Sequence, residues 1–288
     1  MTAASLGLVL CAAVLHATWN LLAKRAAEAG TVFVWLSAIS MAAIYAPVAV
    51  IVYVVTDPMI GREQLTFMIG SGLIHLAYFT VLQHGYRVGD LSLVYPLARG
   101  TGPMLSTIAA IAFLGERPTS LALAGAAAVC VGVFVLGSTG RRAHAGRRAG
   151  PAVLFGLITG CLIATYTITD KHSVAALAVP PLLLDFTQNL VRGTLLTPYA
   201  MRRRAAVRAA WATYRREVLV VALLAPLAYI LVLTALAVSP VSYVAPAREV
   251  SILIGTLFGV RLLKEGHLGV RLVGALAIVL GLVGLALG

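Results

Sequence analysis

Apolar runs of about twenty residues recur along the whole chain, each closed by charges, Pro or Gly. Ten are legible, near 4–23, 32–55, 65–86, 91–113, 119–137, 152–170, 181–200, 217–237, 243–261 and 269–287. Twenty residues rising about 1.5 Å each match a hydrocarbon core about 30 Å thick. An open sheet edge finds no hydrogen-bond partners in lipid, so the runs are expected to be helices. The pattern predicts an all-α integral membrane protein with ten transmembrane helices. The opening "MTAASLGLVL" lacks a basic n-region, and the first run holds His16, Trp19 and Asn20. It is expected to stay in the membrane as a span rather than act as a signal peptide.

Several runs carry polar positions at helical spacing. In "LLLDFTQNLVRGTLL", residues 182–196, Asp185, Gln188, Asn189 and Arg192 stand at i, i+3, i+4 and i+7. Those offsets form one stripe on a helix. An ionisable group at the bilayer centre costs about 2.5–3.5 kcal/mol even on the lenient scale, so the stripe must face the bundle interior. There it either joins helices together, with Asp185 pairing Arg192 or a neighbouring helix, or lines a watery path and touches substrate. Asp185 also sits one turn after Pro180 and Pro181, where a helix N-terminus favours an acid.

Span 1 repeats the pattern with His16, Asn20 and Lys24 on one face and Trp19 beside them. His16 is a candidate proton carrier. Span 3 offers His75 and Tyr78, then Gln83 and His84, and span 8 offers Tyr229. The two tyrosines either pack or stack on a ligand. The face of span 6 that matches span 1 has Tyr166, Thr167 and Asp170. Arg99 and Arg248 follow Pro96 and Pro246. Each could clamp a carboxylate or phosphate. Alternatively, each bonds carbonyls freed by its proline, or an acid such as Glu249. Lys24 and Lys171, at span ends, are expected to snorkel. Glu116 and Glu265 are expected to complement the N-termini of spans 5 and 10.

The two halves of the chain resemble each other. "ATWNLLAK" at 17–24 answers "ATYTITDK" at 164–171, and "LAYFTVL" from Leu76 answers "LAYILVL" from Leu227. "SLVYPLAR" from Ser92 answers "SYVAPAR" from Ser242, and "LGE" at 114–116 answers "LKE" at 263–265. Gly125 and Gly132 answer Gly274 and Gly281. Residues 1–137 and 151–288 thus form two five-helix repeats, joined by a basic linker at 138–150 that the charge map places in the cytoplasm. Five is odd, so the second copy must be inverted. Inverted repeats are a hallmark of secondary transporters with a midplane site between the halves.

With Pro-x-x-Arg early in span 4, Gly-Glu at its end and glycine spacing in span 5, the chain resembles the drug/metabolite transporter superfamily, EamA-like branch. The resemblance covers essentially the whole length. It implies export or exchange of small metabolites such as amino acids, with no ATP-binding domain, and no Walker A pattern occurs here. Many members of the family begin with basic residues and are expected to have cytoplasmic termini.

Charge changes that last point. The chain is +12 overall with 11% charged residues, and its mean hydropathy is +0.97. Sixteen of the basic residues lie in loops after odd-numbered spans and three in loops after even-numbered ones. By the positive-inside rule the odd loops are cytoplasmic and both termini lie outside. The basic excess is therefore topology, and no nucleic-acid partner is expected. Cys11, Cys130 and Cys161 show no metal spacing and are expected to be small core residues, with no disulfide.

No cofactor or metal is expected. The embedded arginines tilt the substrate towards an anionic group, with coupling to protons or a counter-substrate. The expected function is a cell-membrane secondary transporter, exporter or exchanger, of a small polar or amphipathic metabolite. A flippase for a lipid-linked headgroup is the alternative. A membrane enzyme built on His16, His75 and His84 is disfavoured because no helix spaces them as ligands. Substrate, direction, coupling ion and oligomeric state are left open.

Overall fold

The computed structural model describes residues 1–88, 91–138, 149–254 and 268–288. Its helices are α1 (Ala3–Arg25), α2 (Gly30–Thr56), α3 (Arg62–Val88), α4 (Leu91–Leu114), α5 (Ser120–Ser138), α6 (Ala149–Lys171), α7 (Pro181–Met201), α8 (Arg204–Val238), α9 (Val241–Ala247) and α10 (Leu268–Leu287). A π turn, His172–Ala176, follows α6. The linker at 139–148, and with it most of the expected 138–150 segment, lies outside the described residues, as do Lys264 and Glu265.

Six of the described helices, α1 to α4, α6 and α8, are both long and apolar enough to cross a membrane. The others have identifiable reasons for falling short. Asp185, Gln188, Asn189 and Arg192 lower the hydropathy of α7, although its 21 residues rise roughly 31 Å. The apolar parts of α5 and α10 are Ser120–Leu136 and Leu272–Leu287. Span 9 is interrupted: α9 ends at Ala247, Arg248 and Glu249 form a turn, and residues 250–254 are helical again. There the bonding tightens to three residues: Glu249 N bonds Pro246 O at 3.0 Å and Ile252 N bonds Glu249 O at 2.9 Å.

The largest departure from the expected spans is at α8, which begins at Arg204 rather than near 217. Tyr214 has φ −119° and ψ 17°, so two helices meet there at a kink. The first is short and basic, with Arg204, Arg208 and Trp211 exposed.

Burial is arranged for oil outside and polarity inside. Val54, Val55, Phe113, Leu272 and Leu280 are exposed, whereas Asp170, Gln188 and Glu249 are at most 1% exposed. The chain is a multi-pass membrane protein. Cys130 is buried as expected, but Cys11 and Cys161 are exposed. A small apolar thiol suits lipid as well as a core, so composition did not separate them.

The packing follows the repeat. α1 lies on α8 as α6 lies on α3, α4 lies on α6 as α9 lies on α1, and α2 meets its own counterpart α7. The second counterpart pair, α5 and α10, is the most extensively packed. A methyl carbon placed on Gly125 would stand 2.6 Å from the Gly281 oxygen, and one on Gly132 would stand 2.7 Å from the Gly274 oxygen. The first glycine of each helix therefore meets the second of the other. The equivalent helices run antiparallel, as inverted copies must.

Two charged side chains lock the helix ends. Gly115, at φ +66°, turns the chain after α4. Glu116 then accepts from Val241 N at 2.7 Å, Ser242 N at 2.9 Å and Ser242 Oγ at 2.6 Å. It caps α9, not the adjacent α5. Lys171 does not snorkel: its Nζ donates to Leu236 O at 2.7 Å and Ser239 O at 3.1 Å, closing the C-terminus of α8.

Candidate functional site

The polar side chains converge where the halves meet. His75 stands thirteen residues from either end of α3 (62 and 88), near its middle. Its ring lies 4.1 Å from that of Tyr166 on α6 and 5.5 Å from that of Tyr229 on α8, edge-on in the second case. Tyr78, one turn along α3, meets Tyr166 edge-on at 5.7 Å. Every one of these ring contacts joins the first repeat to the second. The tilted and edge-on aromatic geometry suits packing.

Under the rings lies a hydrogen-bonded cluster. Asp170, fully buried at the end of α6, accepts from Ser71 Oγ and from Tyr229 OH at 2.5 Å. Gln188 Nε2 reaches Ser71 Oγ at 2.9 Å and both Asp170 oxygens at 3.3 Å. Four helices, α3, α6, α7 and α8, are tied at this point. Sequence marked Asp170 only as part of a face, and Ser71 not at all. A serine one turn before His75 was the available signal.

The three embedded arginines differ. Arg99 Nε stands 3.0 Å from Glu249 Oε2, with the pair buried and not aligned as a hydrogen bond, so the attraction is ionic. The acid named as an alternative partner is the one the structure supplies, across the repeats. Arg248, the counterpart of Arg99, donates from Nη2 to Tyr166 OH at 3.1 Å. No carboxylate lies within 4 Å of Arg248 or Arg192 among the described residues. Arg192 Nε is buried without a hydrogen-bond partner among the described residues.

The α7 stripe therefore divides. Gln188 joins the Asp170 cluster. Asn189 Nδ2 donates to Asp185 Oδ2 at 3.0 Å and Asp185 O at 2.9 Å, making a local pair. An Asp185–Arg192 ion pair, one of the alternatives for this stripe, is not found within 4 Å among the described residues, since seven residues place the two groups two turns apart.

The α1 stripe makes its contacts within α1 and towards the embedded arginines. Asn20 Nδ2 donates to His16 O at 2.9 Å, and Trp19 meets His16 edge-on at 4.8 Å while packing into the apolar cluster of α1, α2 and α8. His16 itself lies within electrostatic reach of Arg99 and Arg248. His84 packs on Phe155 at 4.7 Å and is not part of the cluster. No group of three or more His, Cys, Asp or Glu among the described residues could hold a metal ion.

Arrangement and family agree. A solved crystal structure, described only as that of a protein, matches this chain with a TM-score of 0.74, covering 98% of each chain at 14% identity. At that identity the likeness is one of fold. Among curated proteins no sequence matches. The family model for EamA-like transporters matches twice, at residues 4–138 and 150–287, which is nearly the whole chain. The chain belongs to the EamA-like transporter family and is thereby a non-enzymatic membrane transporter of small molecules.

Proposed function

We propose that the chain is a secondary active transporter that exports or exchanges a small polar or amphipathic metabolite bearing an anionic group. Alternating access would occur at a midplane site between residues 1–137 and 151–288, with His75, Tyr78, Tyr166, Tyr229, Arg192 and Arg248 touching substrate. The observation that carries this reading is the unequal pairing of the arginines. Among the described residues Arg99 has its acid in Glu249, whereas Arg248 hydrogen-bonds a phenol and Arg192 Nε is buried without a hydrogen-bond partner. A buried guanidinium N–H left unmatched is costly, and a carboxylate or phosphate supplies the missing acceptor. Coupling to protons or to a counter-substrate provides the driving force, and the charge bias sets both termini outside.

The test compares metabolites in cells and medium during expression of wild type or Arg192→Ala at matched membrane abundance. An anionic compound accumulating outside with the wild type and not with the variant is expected. Accumulation that persists in the variant would return Arg192 to helix packing. A change confined to a lipid-linked headgroup would favour flipping.

A further inference from the structure

Asp170 is surrounded by neutral donors. Ser71 Oγ, Tyr229 OH and Gln188 Nε2 all point at its carboxylate. No lysine or arginine nitrogen lies within 4 Å of it among the described residues. A buried acid without a cation needs another way to lose its charge.

His75 is placed to share that task. Its Nδ1 stands 2.9 Å from the Ser71 backbone oxygen. A carbonyl oxygen only accepts, so the hydrogen bond assigns the ring hydrogen to Nδ1. Nε2 of the neutral ring is then a bare lone pair, and it stands 3.9 Å from Asp170 Oδ2. Two acceptors confront each other across a gap with no hydrogen between them. One proton taken up on either group turns this repulsion into attraction, and on Nε2 it leaves the Nδ1 bond to Ser71 O intact.

We infer that Asp170 and His75 form a proton-binding site, taking up one proton on the carboxylate or on Nε2, 3.9 Å apart. Other charges bear on it from each neighbouring helix. Arg248 and Asp185 are within electrostatic reach of Asp170, and Arg192 of His75. Tyr166 and Tyr229 contribute phenols. Lys171 is turned away to the end of α8, and His172 packs on Phe67 at 4.7 Å. Arg248 also bonds Tyr166, whose ring lies on His75, so the proton site adjoins the arginine that the transport reading gives to substrate.

The site exists once per chain. In the register of the repeats, Asp170 answers Ala23, His75 answers Pro226 and Ser71 answers Ala222. A symmetric scaffold thus carries an unsymmetric proton site at the junction of its halves, and a proton gradient acts there without a symmetry-related second site. That last step rests on the transport reading; the site itself does not.

The full chain in phosphatidylcholine vesicles, without substrate, is titrated by infrared difference spectroscopy. The expected result is a carboxylic-acid C=O band that grows on acidification, is lost in Asp170→Asn and is retained in Asp185→Asn. His75→Gln, which preserves folding bulk but binds no proton, should move the midpoint of that band by about one pH unit or more. If no such band is missing from Asp170→Asn, or if the midpoint of that band is unmoved in His75→Gln, the inference is overturned. Should Asp170→Asn fail to fold, the His75→Gln midpoint decides alone. Because no substrate is present, failure here leaves the transport reading intact, and failure of the export assay leaves the proton site intact.

Discussion

Adding one methyl group to Gly125 should loosen the whole α5–α10 seam. An alanine Cβ there would sit 2.6 Å from the Gly281 oxygen, 2.8 Å from the Leu285 nitrogen and 3.0 Å from the Gly284 carbonyl carbon. All three are backbone atoms, so no side chain can turn aside. Reaching ordinary contact near 3.4 Å requires the helices to part by about 0.8 Å, and a gap of that size forfeits a quarter to a half of each dispersion contact along the seam. Overpacking of this kind costs about 1–3 kcal/mol.

Gly70 supplies the opposite sign. It lies inside α3, and a Cβ there would meet nothing within 4 Å. Gly70→Ala should therefore stabilise by about 0.5–1 kcal/mol through reduced backbone freedom. Reversible unfolding in mixed detergent–SDS micelles reads both. The double variant Gly125→Ala/Gly132→Ala should lose less than the sum of its parts, since one separation of the helices accommodates both methyls. If Gly125→Ala matches wild type, or if Gly70→Ala falls as far as Gly125→Ala, the close approach is not what holds these helices together.

Breaking the buried Arg99–Glu249 pair from one side, by Arg99→Gln, should cost about 3–5 kcal/mol in the same titration. The double variant Arg99→Gln/Glu249→Gln should recover much of it, and equal losses in single and double would refute an ionic role. Glu116→Ala strips the acceptors from Val241 N and Ser242 N and should cost about 1–3 kcal/mol. Hydrogen exchange should rise at the start of α9; a rise confined to α5 would contradict the capping geometry. Alkaline phosphatase fused after Gly288 should be active, as an outside C-terminus requires, whereas a fluorescent cytoplasmic reporter at that position would reverse the orientation.

Helix positions were legible because lipid imposes a long apolar run on each span and the chain offers little else between them. The basic start of α8 was not, since Arg204 to Tyr214 fails any hydropathy window and reads as loop. Within the site, spacing identified the interior faces but not the partners. Offsets of three and four put Gln188 and Asn189 side by side, yet Gln188 turns to α3 and α6 while Asn189 turns back on Asp185. Which neighbour each meets depends on how the helices are rotated in the bundle, and that is set by packing. Glu116 and Lys171 mislead for a related reason. Each is nearest in sequence to one helix end and nearest in space to another, α9 for Glu116 and α8 for Lys171.

The crossing of Gly125 with Gly281 and of Gly132 with Gly274 has a consequence for ancestry. A surface that meets its own copy, first element to second and second to first, is isologous, the kind of contact found on the two-fold axis of a homodimer. A free-standing half of this chain, facing an inverted twin, would find that seam already self-complementary. Joining two such halves through a linker would create no new contact there, only a fixed partner. In a chain joined in this way the copies are free to differ away from the seam, as Asp170 differs from its counterpart Ala23.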